Sequence, residues 1–135
     1  MSVQIRYFID PASSDGFLPD VAIALRAARA AGDTAAANML YRVWLDHLGE
    51  TLASKSAPAL KRYLSSRVWT MVDGFPLFRT SGPPFVAYTA YDRADGTTRV
   101  FALAACYQLP GGGEAQWASS VIAPRLVAAR RLRIL

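Results

Sequence analysis

Hydrophobic and polar residues alternate at the start of the chain. Val3, Ile5, Tyr7 and Ile9 are interleaved with Gln4, Arg6 and Phe8, a period of two that predicts a first strand. Asp10-Pro11 ends it, and Ser13-Ser14-Asp15-Gly16 reads as loop. Pro19-Asp20 then opens a helix, with proline in the first turn and an acid near the positive end of the dipole. It runs through Val21, Leu25 and Ala28 to Gly32. Asp33-Thr34 caps a second helix whose apolar face is Ala36, Leu40, Val43, Trp44, Leu48 and Leu52. Helices joined this tightly pack as an antiparallel hairpin. Pro58 interrupts the helical pattern, and Ala59 to Ser65 adds a short turn.

The pattern then changes to strands. Arg67 to Val72 alternates and meets Asp73-Gly74 and Phe75-Pro76; Phe85 to Tyr91 and Thr98 to Tyr107 follow. Asp95-Gly96 between the last two suits a hairpin turn, whereas Gly82-Pro83-Pro84 makes a stiff connection. Pro110 to Gly113 is the most flexible stretch. A final helix comes next, with Ser119 or Ser120 as cap and Pro124 near its start. The expected fold is α+β, in the order β-α-α-β-β-β-α, with one face of an antiparallel sheet against the helical hairpin.

Length and composition narrow this picture. The 135 residues suit a single domain spanning 1–135. With 53% hydrophobic and 19% charged residues, intrinsic disorder is excluded. The longest apolar run, Val100 to Tyr107, is far short of the about 20 residues a spanning helix needs, so no membrane association is expected. The first residues lack the basic tip and greasy stretch of a secretory signal. Cys106 is the only cysteine, which forbids an internal disulfide and makes a reducing cytoplasm the expected location.

The net charge is +5, and its distribution matters more than its size. Lys55, Lys61, Arg62, Arg67 and Arg79 stand against Asp73 alone, and Arg125, Arg130, Arg131 and Arg133 have no acid near them in sequence. If folding joins these two segments, they form a surface for phosphates or an acidic protein segment. Thirteen of the fifteen cations are arginine, whose planar fork pairs with phosphate and stacks on bases.

Most catalytic chemistry has no complete signature here. His47 beside Asp46, with Glu50 on the same helix, lacks the further ligands of a metal site, and a structural histidine is expected. None of Ser13, Ser14, Ser65, Ser66, Ser119 or Ser120 sits in a nucleophile elbow. Gly111-Gly112-Gly113 is not followed by Lys-Ser/Thr and reads as a hinge. Cys106 reads as core filler. No metal or cofactor is expected. What remains is cationic and aromatic: Lys61, Arg62 and Arg79, with Tyr107 at the exit of the last strand. Such groups can run metal-independent RNA cleavage, the cations stabilising the phosphorane and the tyrosine stacking or moving a proton. Arg67, Arg125, Arg130 and Arg131 would extend the nucleic-acid surface. The plain alternative is a solvated basic rim.

Three stretches resemble the RelE/ParE superfamily of toxin–antitoxin toxins, nearest its HigB-like, phage-related branch. They are Val21–Leu52 leading through Lys61-Arg62-Tyr63-Leu64 to Val68-Trp69-Thr70-Met71, then Phe85 to Tyr91 with its Asp-Gly hairpin, and Val100 to Tyr107. The resemblance implies a ribosome-dependent mRNA endonuclease, or a gyrase inhibitor, neutralised by an antitoxin protein. Lys61, Arg62, Arg79 and Tyr107 match its catalytic residues by rough position. Tyr107-Gln108-Leu109-Pro110-Gly111 stands where the HigB-like pattern has Phe-x-Lys-Lys-Thr, so that loop's lysines are missing. Their absence favours an alternative on the same scaffold: a non-catalytic inhibitor or binding protein acting on gyrase, RNA polymerase or another nucleic-acid machine.

Overall fold

The computed structural model describes residues 3–42, 48, 52, 55–80 and 82–135. The alternating N-terminal stretch forms β1 (Val3–Tyr7). The chain then doubles back so tightly that a Cβ on Gly16 would lie 2.4 Å from the carbonyl oxygen of Phe8. The Phe17 N–H donates to that same oxygen at 2.9 Å, and α1 (Phe17–Ala30) begins there, ahead of Pro19. Asp33 accepts the Ala36 N–H at 2.9 Å and caps α2 (Thr34–Arg42), as the sequence predicts. Val43 and Trp44 of the expected apolar face lie outside the described residues, as do Asp46, His47 and Glu50. Leu48 and Leu52 are fully buried. The short turn expected after Pro58 is a nine-residue helix, α3 (Ala57–Ser65), with the Ser56 hydroxyl at its cap and Pro58 in its first turn.

Four strands follow where three are predicted: β2 (Thr70–Val72), β3 (Phe75–Arg79), β4 (Phe85–Asp92) and β5 (Thr98–Cys106). Phe75-Pro76 reads as a strand end because proline cannot donate to a ladder. Asp73 and Gly74 instead both adopt positive φ, 53° and 83°, and form the two-residue hairpin that creates β3. The Thr89 hydroxyl donates to the Pro76 carbonyl at 2.6 Å and fixes that proline against β4. Arg67, expected to start a strand, sits in the turn between α3 and β2.

The strand order is β1-β5-β4-β3-β2, with β1 parallel to β5 and the remaining pairs antiparallel. The expected all-antiparallel sheet is thus corrected at one edge. β1 and β5 are far apart in sequence, so no hairpin constrains their direction, and the intervening helices provide the crossover. A second correction concerns the layers: helices cover both faces. On one, Phe17, Leu48, Leu52, Leu60 and Leu64 pack against Phe78, Val86, Tyr88 and Val100. On the other, Trp117, Ile122, Leu126 and Ala129 pack against Leu77, Ala87, Phe101 and Leu103. The second set comes from α4 (Gly113–Trp117), a wide π-type turn (Ala118–Ile122) and α5 (Ala123–Arg131), which follow one another without a break. The final helix therefore starts at the glycine run rather than at Ser119 or Ser120, whose hydroxyls bond back to the Gln116 carbonyl. A strand buried on both faces needs an unbroken apolar run, and Val100–Ala105 of β5, flanked by β1 and β4, provides it. No helix among the described residues is long and apolar enough to cross a membrane.

Candidate nucleic-acid interface

Opposite β4, strand β5 carries one extra residue: Ala87 faces Ala104, but Tyr88 faces Ala102, leaving Leu103 in a bulge. The bulge shifts the strand's alternation by one. Phe101, Leu103 and Ala104 all pack toward the C-terminal helix, and Ala105 turns to the α1 side. Tyr107 consequently emerges on the α1–α2 side, where its hydroxyl donates to Asp33 at 2.9 Å. That bond raises the Tyr107 pKa above the usual tyrosine range. It also lowers that of Asp33, after the larger effect of the Ala36 N–H.

Beyond Tyr7, β1 no longer covers β5, and the bulge leaves edge groups to be satisfied. Arg125 and Asp20 do so. The Arg125 guanidinium donates to the Leu103 carbonyl at 2.7 Å and to both Asp20 oxygens at 2.5 and 3.0 Å. Asp20 in turn accepts the Ala105 N–H at 3.1 Å. The two side chains are only 15% and 17% exposed. Arg125, expected on a nucleic-acid surface, instead ties α5 to α1 across the sheet edge and has little left for a phosphate.

The other expected residues fall into separate places. Lys61 on α3 pairs with Asp92, at the Thr98 end of β5. Tyr107 follows the opposite end of that strand, roughly 26 Å away at about 3.3 Å per residue. Arg79 lies on the C-terminal-helix face, paired with Glu114 and set over the Trp69 ring at 5.7 Å. The Trp69 indole donates to the same carboxylate at 3.1 Å. Arg130 pairs with Asp73 at 2.6 Å and lies over Phe75. Arg62 and Arg131 are exposed on α3 and α5. The expected catalytic group of Lys61, Arg62, Arg79 and Tyr107 is therefore not brought together. Nor do the two basic segments merge beside Tyr107. Cys106 is half-buried and its thiol is pushed up to about 12, chiefly by burial, which leaves it a poor nucleophile.

Within residues 55–135 every acidic side chain is in an ion pair: Asp73 with Arg130, Asp92 with Lys61, Asp95 with Arg93, Glu114 with Arg79. The excess positive charge is left on other side chains, and two of these sit against one ring. Tyr63 has the Lys55 ammonium 4.7 Å and the Arg67 guanidinium 4.0 Å from its ring centre, and Arg62 is its neighbour on α3. Arg67 also donates to the Tyr63 carbonyl, which holds its side chain along the helix end. Among the described residues, no carboxylate lies within ion-pair distance of Lys55, Arg62 or Arg67. Lys55 and Tyr63 had no place in the sequence-derived site. The signal was there in a cation at each end of a short helix bearing a tyrosine.

Comparison with protein families, with curated proteins and with solved structures finds no match to this chain.

Proposed function

We propose that this chain is a toxin-like, RNA-interacting protein on a RelE-like scaffold that acts by binding and not by cutting. The observation that carries the reading is the pair of cations Lys55 and Arg67 on the Tyr63 ring, with Arg62 beside it on α3 and, among the described residues, no carboxylate within ion-pair distance of the three. Three cations can follow a phosphate backbone, and the half-buried Tyr63 ring holds two of them in place. Against catalysis stand the ion pairs on Lys61 and Arg79 and the removal of Tyr107 to another corner. The RelE-like assignment is supported by the element order and by helices preceding a hairpin-rich sheet. On this reading the protein works in the cytoplasm, on RNA or the ribosome, and an acidic antitoxin segment would cover the same cations.

Fluorescence anisotropy with a labelled single-stranded RNA tests this. Three phosphate contacts predict a slope of log K against log salt of about −2, from roughly 0.7 per contact on single strands. Alanine at Lys55, Arg62 and Arg67 together should flatten the slope and abolish binding. No binding at low salt would refute the reading and favour an inhibitor that grips gyrase, RNA polymerase or another protein directly.

A metal-independent endoribonuclease is the second reading, favoured by one observation. Arg79, Glu114 and Trp69 meet on the C-terminal-helix face, offering a phosphate-stabilising cation, a carboxylate and a stacking ring. Cuts in mRNA on translating ribosomes that disappear in both Arg79→Ala and Glu114→Gln would establish it.

A further inference from the structure

Between α3 and the sheet, on the side of the helix turned away from Tyr63, lies a cavity of about 270 Å³. Its walls are apolar: Leu60, Leu64, Val68, Pro76, Phe78 and Ala90. It exists because β2 is only three residues long and Ala90 is small, so this corner of the sheet is left uncovered. At roughly 30 Å³ per water, the space equals about nine water molecules. A second cavity, of about 340 Å³, lies between the start of α3 and the β4–β5 turn, bordered by Ala57, Pro58, Arg93 and Gly96. Lys61, Asp92 and Thr98 line both. The Lys61–Asp92 ion pair is thus a charged partition between two mainly apolar chambers.

We infer that these two cavities form one bipartite site for an amphiphilic small-molecule anion, its apolar body among Leu64, Phe78 and Ala90 and its carboxylate on Lys61. The partition can open cheaply: its side chains are 59% and 55% exposed, and such pairs contribute little to stability. Asp92 is not orphaned when Lys61 turns to a ligand, because the Thr98 hydroxyl donates to it at 3.0 Å. The charge selects an anion. The residues lining the two chambers carry two cations, Lys61 and Arg93, against one carboxylate, Asp92; Asp95, outside the lining, pairs with Arg93 at 4.0 Å. The inference is independent of RNA binding, since Arg62 and Arg67 line neither chamber.

The test is an NMR titration of the full chain with decanoate, decyltrimethylammonium and decanol, all below their micellar concentrations. Decanoate should shift the amides of Leu64, Ala90 and Thr98, and the cationic analogue should not. Lys61→Met should weaken decanoate roughly tenfold, the value of one charge-assisted contact, while leaving decanol unchanged. Val68→Asp, at an exposed lip, should weaken both without unfolding the protein, and Ala90→Leu should do so by filling the chamber. Arg67→Ala should change nothing. Equal binding of the cation and the anion, shifts scattered elsewhere, or decanoate binding indifferent to Val68→Asp would each overturn the assignment.

Discussion

Replacing Arg125 by methionine should destabilise the protein heavily without touching RNA binding. Methionine keeps much of the arginine's length and packing but removes its charge and all of its donors. The change leaves the Leu103 carbonyl at the bulge without its partner and the Asp20 carboxylate, 17% exposed, without its counter-charge. Breaking a buried pair on one side typically costs 3–5 kcal/mol; the residual exposure here puts the expected loss at the lower end, about 3 kcal/mol. At an unfolding entropy of roughly 2.1 cal/mol/K per residue, a chain of 135 residues should lose about 10 °C in Tm. Urea unfolding followed by far-UV circular dichroism measures the loss, and an unchanged m-value shows that it is one of stability. Asp20→Asn and the double variant complete a cycle in which the two changes should be strongly non-additive. A loss below about 1 kcal/mol, or simple additivity, would mean that water satisfies this edge and that the pair is not what joins α1 to α5.

Two further outcomes follow from the same geometry. Gly16→Ala should cost about 2 kcal/mol in urea unfolding, because its backbone is extended and the penalty is the 2.4 Å approach to the Phe8 carbonyl; a loss within a few tenths would show that the loop yields. Tyr107→Phe should destabilise at neutral pH by an amount that shrinks toward both extremes. Asp33, with its pKa lowered, stabilises the fold above the unfolded carboxyl value of about 3.9, and this is lost as pH falls through its folded pKa. Tyr107, with its pKa raised, contributes below about pH 10, and this is lost as pH rises through its folded value. A wild-type-minus-variant difference that stays constant from about pH 2 to neutrality would contradict the Tyr107–Asp33 bond.

The sequence by itself determined the elements whose cause is local. Alternation specifies β1, Asp33 caps α2, Asp95-Gly96 joins β4 to β5, and the unbroken apolar run of residues 100–107 marks the buried strand β5. Steric preferences and periodicity over a few residues are enough for these. Only the tertiary structure decided which side chains share a surface. An apolar run has no period, so nothing in it reveals the Leu103 bulge that turns Tyr107 away from Arg79. The same holds for charge. Arg125 and Arg62 look alike along the chain, but one meets a carboxylate 105 residues away and the other meets none among the described residues. A cation's freedom to bind depends on what folding places within a few ångströms of it, and sequence separation carries no information about that distance.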